Sequence, residues 1–180
     1  MTPGHKKIMS DILGGVALAI ATLASASAAE LPSRKPGLWE VKTTIGDASR
    51  ALVVQQCIDA ATDQALQSSA GPFSAPACPD REVKTSGGSM TIDSRCSLAG
   101  KSGSAHAIVT GSFDSAYTMT VTAEGGGLPA VKMTIEGKWL GACAAGQEAG
   151  DVIMPGGMKL NVPELQKRAP TPDPTLHLGK

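Results

Sequence analysis

The side chains that most often carry acid–base or nucleophilic chemistry are sparse in this sequence. Of its three histidines, His5 and His177 lie near the termini, and His106 alone falls within the predicted domain. His106 occupies a polar position of a predicted strand, and there is no Gly-x-Ser-x-Gly motif to present a serine nucleophile. We therefore predict no catalytic residue and a protein that is not an enzyme. As a third hypothesis we keep an enzyme that uses His106 or a carboxylate in a pocket that no sequence motif indicates.

The four cysteines, Cys57, Cys78, Cys96 and Cys143, occur singly along the chain. Without a Cys-x-x-Cys motif, thioredoxin-like redox chemistry and ordinary structural zinc sites have no signature here. An even number of cysteines in a small exported domain indicates disulfides, here two, and three pairings are open. We favour Cys57–Cys78 as a clasp on a loop. The second bridge, Cys96–Cys143, would then fasten the first strand of the predicted meander to the end of the last.

The carboxylates and glycines give no signature of a metal or cofactor site either. Asp59 and Asp63 lie one helical turn apart on a predicted helix, where a cap and a solvated acid explain them. Asp80 and Glu82 lack the further oxygen ligands of a calcium loop. Runs of consecutive glycine lack the lysine and the helix of a phosphate-binding loop and are typical of hairpin turns. We predict neither a metal nor a cofactor.

The amino terminus has the organisation of an export signal. Residues 5–7 are basic, residues 12–24 form an uncharged and mostly apolar run, and alanines and serines follow. The apolar run is too short to span a bilayer comfortably. We predict that residues 1–29 are a signal peptide, cleaved after Ala28 or Ala29. The mature protein would then be periplasmic or secreted, without a transmembrane span.

The balance of charge and the scarcity of aromatic residues exclude one class of partner. The chain has 16 Lys and Arg against 16 Asp and Glu, a formal net charge of +0. Binding to a phosphate backbone requires a clear excess of cations. Aromatic residues make up 3% of the chain and leave little from which to build a base-stacking platform. We therefore predict no nucleic-acid partner.

Apolar and polar residues alternate with a period of two through much of the chain, the pattern of half-buried strands. The alternation begins at Gly37 and resumes in an apolar run that ends at Cys57. It then marks four consecutive stretches between Met90 and Trp139, separated by short turns rich in glycine and serine. Consecutive strands joined by short turns predict an antiparallel meander.

A sheet with one apolar face must curl, close or be covered. The candidate covers are a helix over residues 60–67, capped by Asp59, and a proline-containing loop over residues 68–80. We therefore predict a mainly β fold, a curved antiparallel sheet or half-barrel with one short helix and loop cover, stapled by disulfides. Residues 30–163 would form this single domain.

The carboxyl-terminal part of the chain changes in composition. Residues 151–160 contain Pro-Gly-Gly and predict a last short hairpin. Several prolines follow with few apolar residues to bury, so we predict that residues 164–180 form a disordered proline-rich tail.

The apolar face is the feature with functional potential. Trp39, Met90, Met119, Met133 and Trp139 fall on one side of the predicted sheet and are our candidate ligand-facing residues. Methionine adapts to irregular partners, and a curved apolar face can enclose a hydrophobic small molecule or contact an envelope protein. A filled hydrophobic core accounts for the same pattern.

Two hypotheses from different classes follow. In the first, the protein is a non-enzymatic periplasmic binding or envelope-interaction domain whose apolar face takes a hydrophobic ligand or partner. In the alternative, it is a structural or stress-associated exported protein that docks another protein through its polar face or an unpaired strand edge.

Three short stretches resemble a known family. They are Lys-Pro-Gly-Leu-Trp-Glu-Val at residues 35–41, Gly-Lys-Trp-Leu-Gly-Ala-Cys at residues 137–143 and Gly-Asp-Val-Ile-Met-Pro at residues 150–155. Together with the singly spaced cysteines they are similar to domain-of-unknown-function family 3617, a family of exported proteins of Gram-negative bacteria. The resemblance covers about residues 33–160. It implies a small periplasmic or secreted domain, and it brings no catalytic or binding residues.

Overall fold

The computed structural model of the chain describes residues 31–47, 50–69, 78, 80–98, 101–125 and 127–168. Within these residues the elements are, in chain order, β1 (Gly37–Ile45), β2 (Leu52–Ile58), α1 (Ala60–Ser69), β3 (Asp80–Ser86), β4 (Ser89–Leu98), β5 (Lys101–Ser112), β6 (Ala116–Gly125), β7 (Leu128–Gly141), β8 (Asp151–Ile153), β9 (Lys159–Asn161) and α2 (Val162–Arg168). The nine strands form one antiparallel sheet in the order β3-β4-β5-β6-β7-β1-β2-β8-β9. The prediction of a mainly β, antiparallel, disulfide-stapled fold is therefore confirmed.

The strands from β3 to β7 form the predicted meander, because each pairs with the next along the chain. The first hairpin shows how the turns fit the strands. Ser86 pairs with Ser89, so Gly87 and Gly88 alone make the turn, with φ of 58° and 77°. Two positive φ values give a turn whose twist matches that of the strands, and glycine adopts them without steric cost.

The first strand lies inside the sheet and not at its edge. β1 pairs with β7 on one side and with β2 on the other. The predicted last hairpin is also present, since β8 pairs with β9 and extends the sheet beyond β2. The sheet is thus completed by long-range pairing around β1.

The alternation of residues gives the sheet two unlike faces. The apolar face, defined by the side that carries Trp39 of β1, includes the buried residues Val41, Ile92, Val109 and Val121. The polar face, on the reverse side, carries the intervening threonines and charged residues of the same strands. This is the arrangement that the period-two pattern predicts.

The disulfides join Cys57 to Cys143 and Cys78 to Cys96, so both predicted pairings are wrong. The place of β1 between β7 and β2 explains the first bridge. Leu38 of β1 lies opposite Cys57 on one side and opposite the end of β7 on the other. Cys143 lies two residues beyond the end of β7 and therefore comes within reach of Cys57.

The second bridge is the local clasp of the structure. Asp80 at the start of β3 pairs with Arg95 of β4, and this register brings Cys78, two residues earlier, beside Cys96. The bridge spans 18 residues of sequence, whereas Cys57–Cys143 spans 86. The long bridge thus joins distant strands, and the short one holds the entry into β3.

The predicted helix is present as α1, and Asp59 caps it as predicted. Asp59 Oδ1 accepts a hydrogen bond from the backbone N–H of Thr62 at 2.8 Å, and Thr62 Oγ1 accepts one from the Asp59 N–H at 2.9 Å. This reciprocal arrangement satisfies two backbone donors at the start of the helix. The hydrogen bonds from Thr62 hold the pKa of Asp59 below its ordinary value.

The prediction of disorder is wrong for residues 164–168, which belong to helix α2. Asn161 Oδ1 caps this helix by accepting from the backbone N–H of Glu164 at 3.2 Å. Pro163 lies in the first turn, where its missing N–H costs no intrahelical bond. The rest of the predicted tail, residues 169–180, and the predicted signal peptide, residues 1–29, lie outside the described residues, as does most of the predicted loop 68–80.

Asp151 organises the last hairpin from a buried position. Its carboxylate accepts hydrogen bonds from the Glu148 backbone N–H at 2.9 Å and from Asn161 Nδ2 at 3.0 Å, and it pairs with Lys159 Nζ at 2.9 Å. Burial by itself acts to raise the pKa of Asp151. The three partners outweigh burial and hold the pKa below the ordinary value of 3.8.

Removing the long bridge should destabilise the protein more than removing the short one. The chain-entropy treatment of a cross-link assigns about 4.5 kcal/mol to a loop closed by Cys57–Cys143 and about 3 kcal/mol to one closed by Cys78–Cys96. One double Cys→Ser variant removes Cys57–Cys143 and the other removes Cys78–Cys96. In urea unfolding without reductant, we expect the first variant to lose more of the free energy of unfolding than the second. Equal losses, or peptide mapping that links other cysteine pairs, would contradict the observed pairing.

Protonation of Asp151 should contribute to acid unfolding. Because its folded pKa lies below the unfolded value, the carboxylate stabilises the fold above about pH 4 and loses that contribution as the pH falls through the folded pKa. We expect Asp151→Asn to lower the free energy of unfolding at pH 6 and to flatten its decline between pH 5 and pH 2. Asp114→Asn, in an exposed turn, is the control for general loss of charge. An unchanged acid profile in Asp151→Asn would refute this role.

Candidate functional site

The registers bring all five candidate ligand-facing residues to the apolar face. Trp39 lies directly opposite Trp139, and the pairing of β4 to β7 places Met90, Met119 and Met133 on the same side. Trp39 is 0% exposed and Met90 is 9% exposed, whereas the other three are half-buried. The centre of this face is therefore hydrophobic core, and a ligand can meet it only towards its margins.

One end of the apolar face, which we call the closed end, is sealed by a buried ion pair. Arg34 Nη2 lies 2.7 Å from Asp63 Oδ1, Arg34 Nε donates to the same oxygen at 2.8 Å, and the Arg34 backbone N–H donates to Oδ2 at 2.7 Å. Gln67 Nε2 adds a fourth contact, to Asp63 Oδ2 at 2.7 Å. The guanidinium carbon lies 5.6 Å from the centre of the Trp39 ring. The segment before β1 is thereby tied to α1 above an aromatic side chain.

The two tryptophans hold the same segment through their indole N–H groups. Trp39 Nε1 donates to the Lys35 carbonyl at 2.8 Å, and Trp139 Nε1 donates to the Pro36 carbonyl at 3.1 Å. The Lys35 ammonium lies 3.7 Å from the centre of the Trp139 ring, within the range of a cation–π contact. Residues 35 and 36 are thus clamped where the chain enters β1.

Gly37 is required by the close approach of the two chains at this point. Its φ of 131° is a conformation that residues with a side chain rarely adopt. A Cβ at this position would collide with the Gly141 carbonyl oxygen and would lie 2.7 Å from Trp139 Nε1. In the stretch Lys-Pro-Gly-Leu-Trp, the residues Lys35, Gly37 and Trp39 are therefore explained by contacts at the closed end.

Tyr117 fills the space beside the closed end. It pairs with Gly137, whose missing side chain makes room for the phenol ring. The ring centres of Trp39 and Phe113 lie 5.8 Å and 4.9 Å from that of Tyr117. Burial raises the pKa of Tyr117, an effect that the nearby charge of Arg34 partly offsets. The phenol is therefore neutral and acts as a packing and hydrogen-bonding group.

The opposite end of the apolar face, which we call the open end, exposes large apolar side chains. Ile45 at the end of β1 is 56% exposed, Leu52 at the start of β2 is 48% exposed, and Val131 near the start of β7 is 37% exposed. Ile45 pairs with the half-buried Met133. Val131 lies two residues from Met133 on the same face, so these side chains form one apolar margin.

The polar face carries a shallow depression of about 390 Å³. Lys42 and Glu136 form an ion pair of 2.8 Å at its side, each about half exposed, and Glu40 lies opposite Lys138. Exposed ion pairs of this kind contribute little to stability. The depression presents alternating charges and threonine hydroxyls to solvent.

His106, the histidine considered for catalysis, contacts an acid on the polar face. Its Nδ1 lies 2.7 Å from Asp93 Oδ1, but the two side chains are 49% and 53% exposed. Thr122 lies opposite His106 on β6, and no hydrogen bond joins them. Water therefore reaches both His106 and Asp93. Among the described residues His106 has no hydroxyl or thiol partner, so the arrangement lacks the enclosed geometry of a catalytic triad.

The carboxylates that sequence reasoning treated as a pair have separate roles. Asp59 caps α1, whereas Asp63, expected to be a solvated acid, is fully buried against Arg34. That expectation is wrong because Asp63 faces inwards on the same side of α1 as the buried Leu66, a spacing of three residues that could have indicated it. In the described part of the chain, no three metal-ligating side chains come close enough to hold an ion.

Two features bear on the cellular compartment of the protein, namely its two disulfides and the lengths of its helices. Both disulfides are at bonding distance, which is consistent with an extracytoplasmic protein. Neither described helix has the length and apolar character needed to cross a bilayer.

Comparison with known proteins supports the predicted family resemblance. A family model described as "Protein of unknown function (DUF3617)" matches residues 34–143. The match begins at Arg34, a member of the buried ion pair, and ends at Cys143, a member of the long disulfide. No curated protein and no solved structure shows significant similarity to the chain.

Loss of the buried charge should weaken the fold far more than loss of an exposed one. Asp63→Asn leaves the Arg34 guanidinium without a counter-charge, and breaking a buried ion pair costs about 3–5 kcal/mol. Asp59→Asn is the matched control on the same helix, because Asn caps a helix about as well as Asp. We expect urea unfolding, followed by tryptophan fluorescence, to separate the two variants by at least about 3 kcal/mol. Similar losses would show that the ion pair does not fasten the closed end.

Proposed function

The chain belongs to the DUF3617 family of proteins of unknown function, and we propose that it is a non-enzymatic binding domain that acts outside the cytoplasm. Its apolar face takes a hydrophobic ligand or partner, and the open end is the place of entry. The exposed apolar margin around Ile45, Leu52 and Val131 is the observation that carries this proposal.

The contrast between the two ends of the apolar face supports binding at the open end. At the closed end every large aromatic ring is packed or hydrogen-bonded, as Trp39 and Trp139 illustrate. At the open end Ile45 and Leu52 remain about half exposed although they are large and apolar. Contiguous apolar residues that a folded protein leaves in water commonly mark a site for a ligand or another macromolecule.

The engagement of the buried carboxylates supports a non-enzymatic role, since among the described residues Asp63 is paired with Arg34 and Asp151 with Lys159. In the described residues the histidine–carboxylate contact, His106 with Asp93, lies half exposed on the polar face, away from the apolar margin. General acid–base catalysis is most effective where water is excluded and a substrate is held within hydrogen-bond reach. The exposed apolar residues described at the open end can hold an apolar group, and none of Ile45, Leu52 and Val131 is an acid or a base.

The predicted signal peptide and the two disulfides support a periplasmic or secreted location. Disulfides persist in oxidising compartments and are rare in the cytosol. The Cys57–Cys143 bridge, which joins strands distant in sequence, would persist in such a compartment.

The alternative, docking of another protein, has one feature in its favour. β3 is a seven-residue edge strand with a free side, the arrangement that accepts an added strand. Glu82 and Lys84 form an ion pair on this strand, 2.9 Å long, and exposed charges on an edge strand commonly discourage such pairing.

Binding of a neutral apolar dye tests the proposal. We expect N-phenyl-1-naphthylamine to fluoresce on protein exported to the periplasm and purified without detergent. The double variant Ile45→Thr/Val131→Thr should bind it about tenfold more weakly, because each change removes apolar area from the open end.

Ile108→Thr supplies the matched control, since Ile108 is 43% exposed on the polar face. It should bind the dye like the wild type, and circular dichroism should show that all variants are folded. Absence of dye binding to the wild type, or equal losses in both variants, would overturn binding at the open end. Native mass spectrometry of the gently purified protein would then show whether any apolar adduct accompanies the chain.

A further inference from the structure

The strand β3 forms one edge of the sheet, and its backbone is paired on one side only. It pairs with β4 through seven residues in an unbroken register, from Asp80 opposite Arg95 to Ser86 opposite Ser89. Among the residues that the structure describes, no strand lies on its other side. None of the seven residues is a proline and no bulge interrupts the pairing, although these are common means of keeping an edge strand from pairing. The regular edge is therefore able to accept a further strand.

The turn after β3 determines which backbone groups face the free side. Ser86 and Ser89 flank a two-residue turn and therefore form a hydrogen-bonded pair. Hydrogen-bonded and non-hydrogen-bonded pairs alternate along antiparallel strands. Arg81, Val83 and Thr85 thus belong to non-hydrogen-bonded pairs, and their N–H and C=O groups point away from β4. An added strand would form its hydrogen bonds with these three residues.

The charges on β3 select the kind of strand that fits this edge. Glu82 and Lys84 form an ion pair of 2.9 Å on the polar face, and each side chain is 63% exposed. Across the β3–β4 pairing, Glu82 lies opposite a second acid, Asp93, so a further cation beside Glu82 would be stabilising. Exposed charges oppose pairing with an apolar strand. They favour a strand whose charges occur in the reverse order.

A second copy of β3 has this reversed order when it runs antiparallel to the first. If the two copies pair around Val83, Glu82 of each copy lies opposite Lys84 of the other. Arg81 of each copy then lies opposite Thr85 of the other, so the outward-facing residues meet each other as their hydrogen bonds require. A slip of two residues would instead place Glu82 opposite Glu82 or Lys84 opposite Lys84, and like charges in these positions are destabilising. Backbone geometry and charge therefore select the same register.

We propose that the protein forms a homodimer in which the β3 strands of two copies pair antiparallel about a twofold axis at Val83. The two sheets continue into each other with their apolar faces on the same side, because residues directly opposite in a sheet share a face. Each copy uses its β3 edge once, so the assembly closes at two copies. The inference goes beyond the proposed function and is independent of it, since it uses none of the residues at the open end.

Analytical ultracentrifugation of the exported, disulfide-bonded chain, purified without detergent, tests whether the dimer forms. Pairing through one strand of seven residues gives a small interface, and small interfaces bind weakly. We expect a monomer–dimer equilibrium with a dissociation constant of about 100 μM, so that monomers predominate at about 5 μM and dimers at about 500 μM. A wild type that stays monomeric at about 500 μM would overturn the dimer and leave the edge to a different protein.

Amide hydrogen exchange, read by mass spectrometry with residue-resolving fragmentation, tests where the copies meet. The N–H groups of Arg81, Val83 and Thr85 should exchange about threefold more slowly at about 500 μM than at about 5 μM, because the dimer alone gives them acceptors. The N–H groups of Glu82 and Lys84 already point to β4, and their exchange should change much less. Dimers without this alternating protection would place the interface elsewhere and refute the proposal.

Reversal of charge tests the register. Glu82→Lys and Lys84→Glu each place like charges opposite one another at two symmetry-related positions, and either change should weaken association at least about tenfold. An equimolar mixture of these two variants should dimerise again, because every such pair then joins opposite charges. The double variant Glu82→Lys/Lys84→Glu should dimerise by itself for the same reason.

Glu124→Lys is the matched control for the change of charge. Glu124 is exposed on the polar face of β6, inside the sheet, and its replacement should leave association unchanged. Circular dichroism should show that every variant is folded. Association of Glu82→Lys at the wild-type strength, an equal loss in Glu124→Lys, or failure of the mixed variants to dimerise would each refute pairing about Val83.

Discussion

The buried ion pair between Arg34 and Asp63 is the interaction on which the arrangement of this sheet depends. Two charges removed from water are tolerated only when each remains paired with the other. Their pairing therefore fixes the segment before β1 against α1, and this in turn sets where β1 enters the sheet. β1 lies between β7 and β2, and its pairing with β7 joins strands far apart in the sequence. The ion pair therefore acts where this long-range pairing begins. The Cys57–Cys143 bridge fastens the neighbouring strands at the same end.

The same interaction explains why the two ends of the apolar face differ. At the closed end the polar groups of Arg34, Trp39 and Trp139 find partners, and a cation lies over each indole ring. At the open end no comparable segment of the described chain covers the margin, and Ile45 and Leu52 remain about half exposed. The stabilising contacts and the proposed binding site thus lie at opposite ends of one sheet, so we expect changes at the margin to alter binding without loosening the fold.

Much of the fold could be predicted because it rests on local pattern. Alternation with a period of two located the strands, and the turn residues located the hairpins, since both reflect interactions between near neighbours. The capping of α1 by Asp59 is of the same kind. The disulfide pairing was predicted wrongly because spacing along the chain does not reveal that β1 lies between β7 and β2. The burial of Asp63 was missed because its partner, Arg34, lies 29 residues away in an irregular segment.

The sequence by itself determined that this is a small mainly β protein with one apolar face, four paired cysteines and no recognisable catalytic motif. It also placed Trp39, Met90, Met119, Met133 and Trp139 on a common face, because side-chain direction in a strand follows from the backbone alone. Only the tertiary structure decided which of these residues are core and which lie at a margin. It also decided which cysteines meet. These features depend on the order of strands in the sheet, a product of long-range packing that no local pattern encodes.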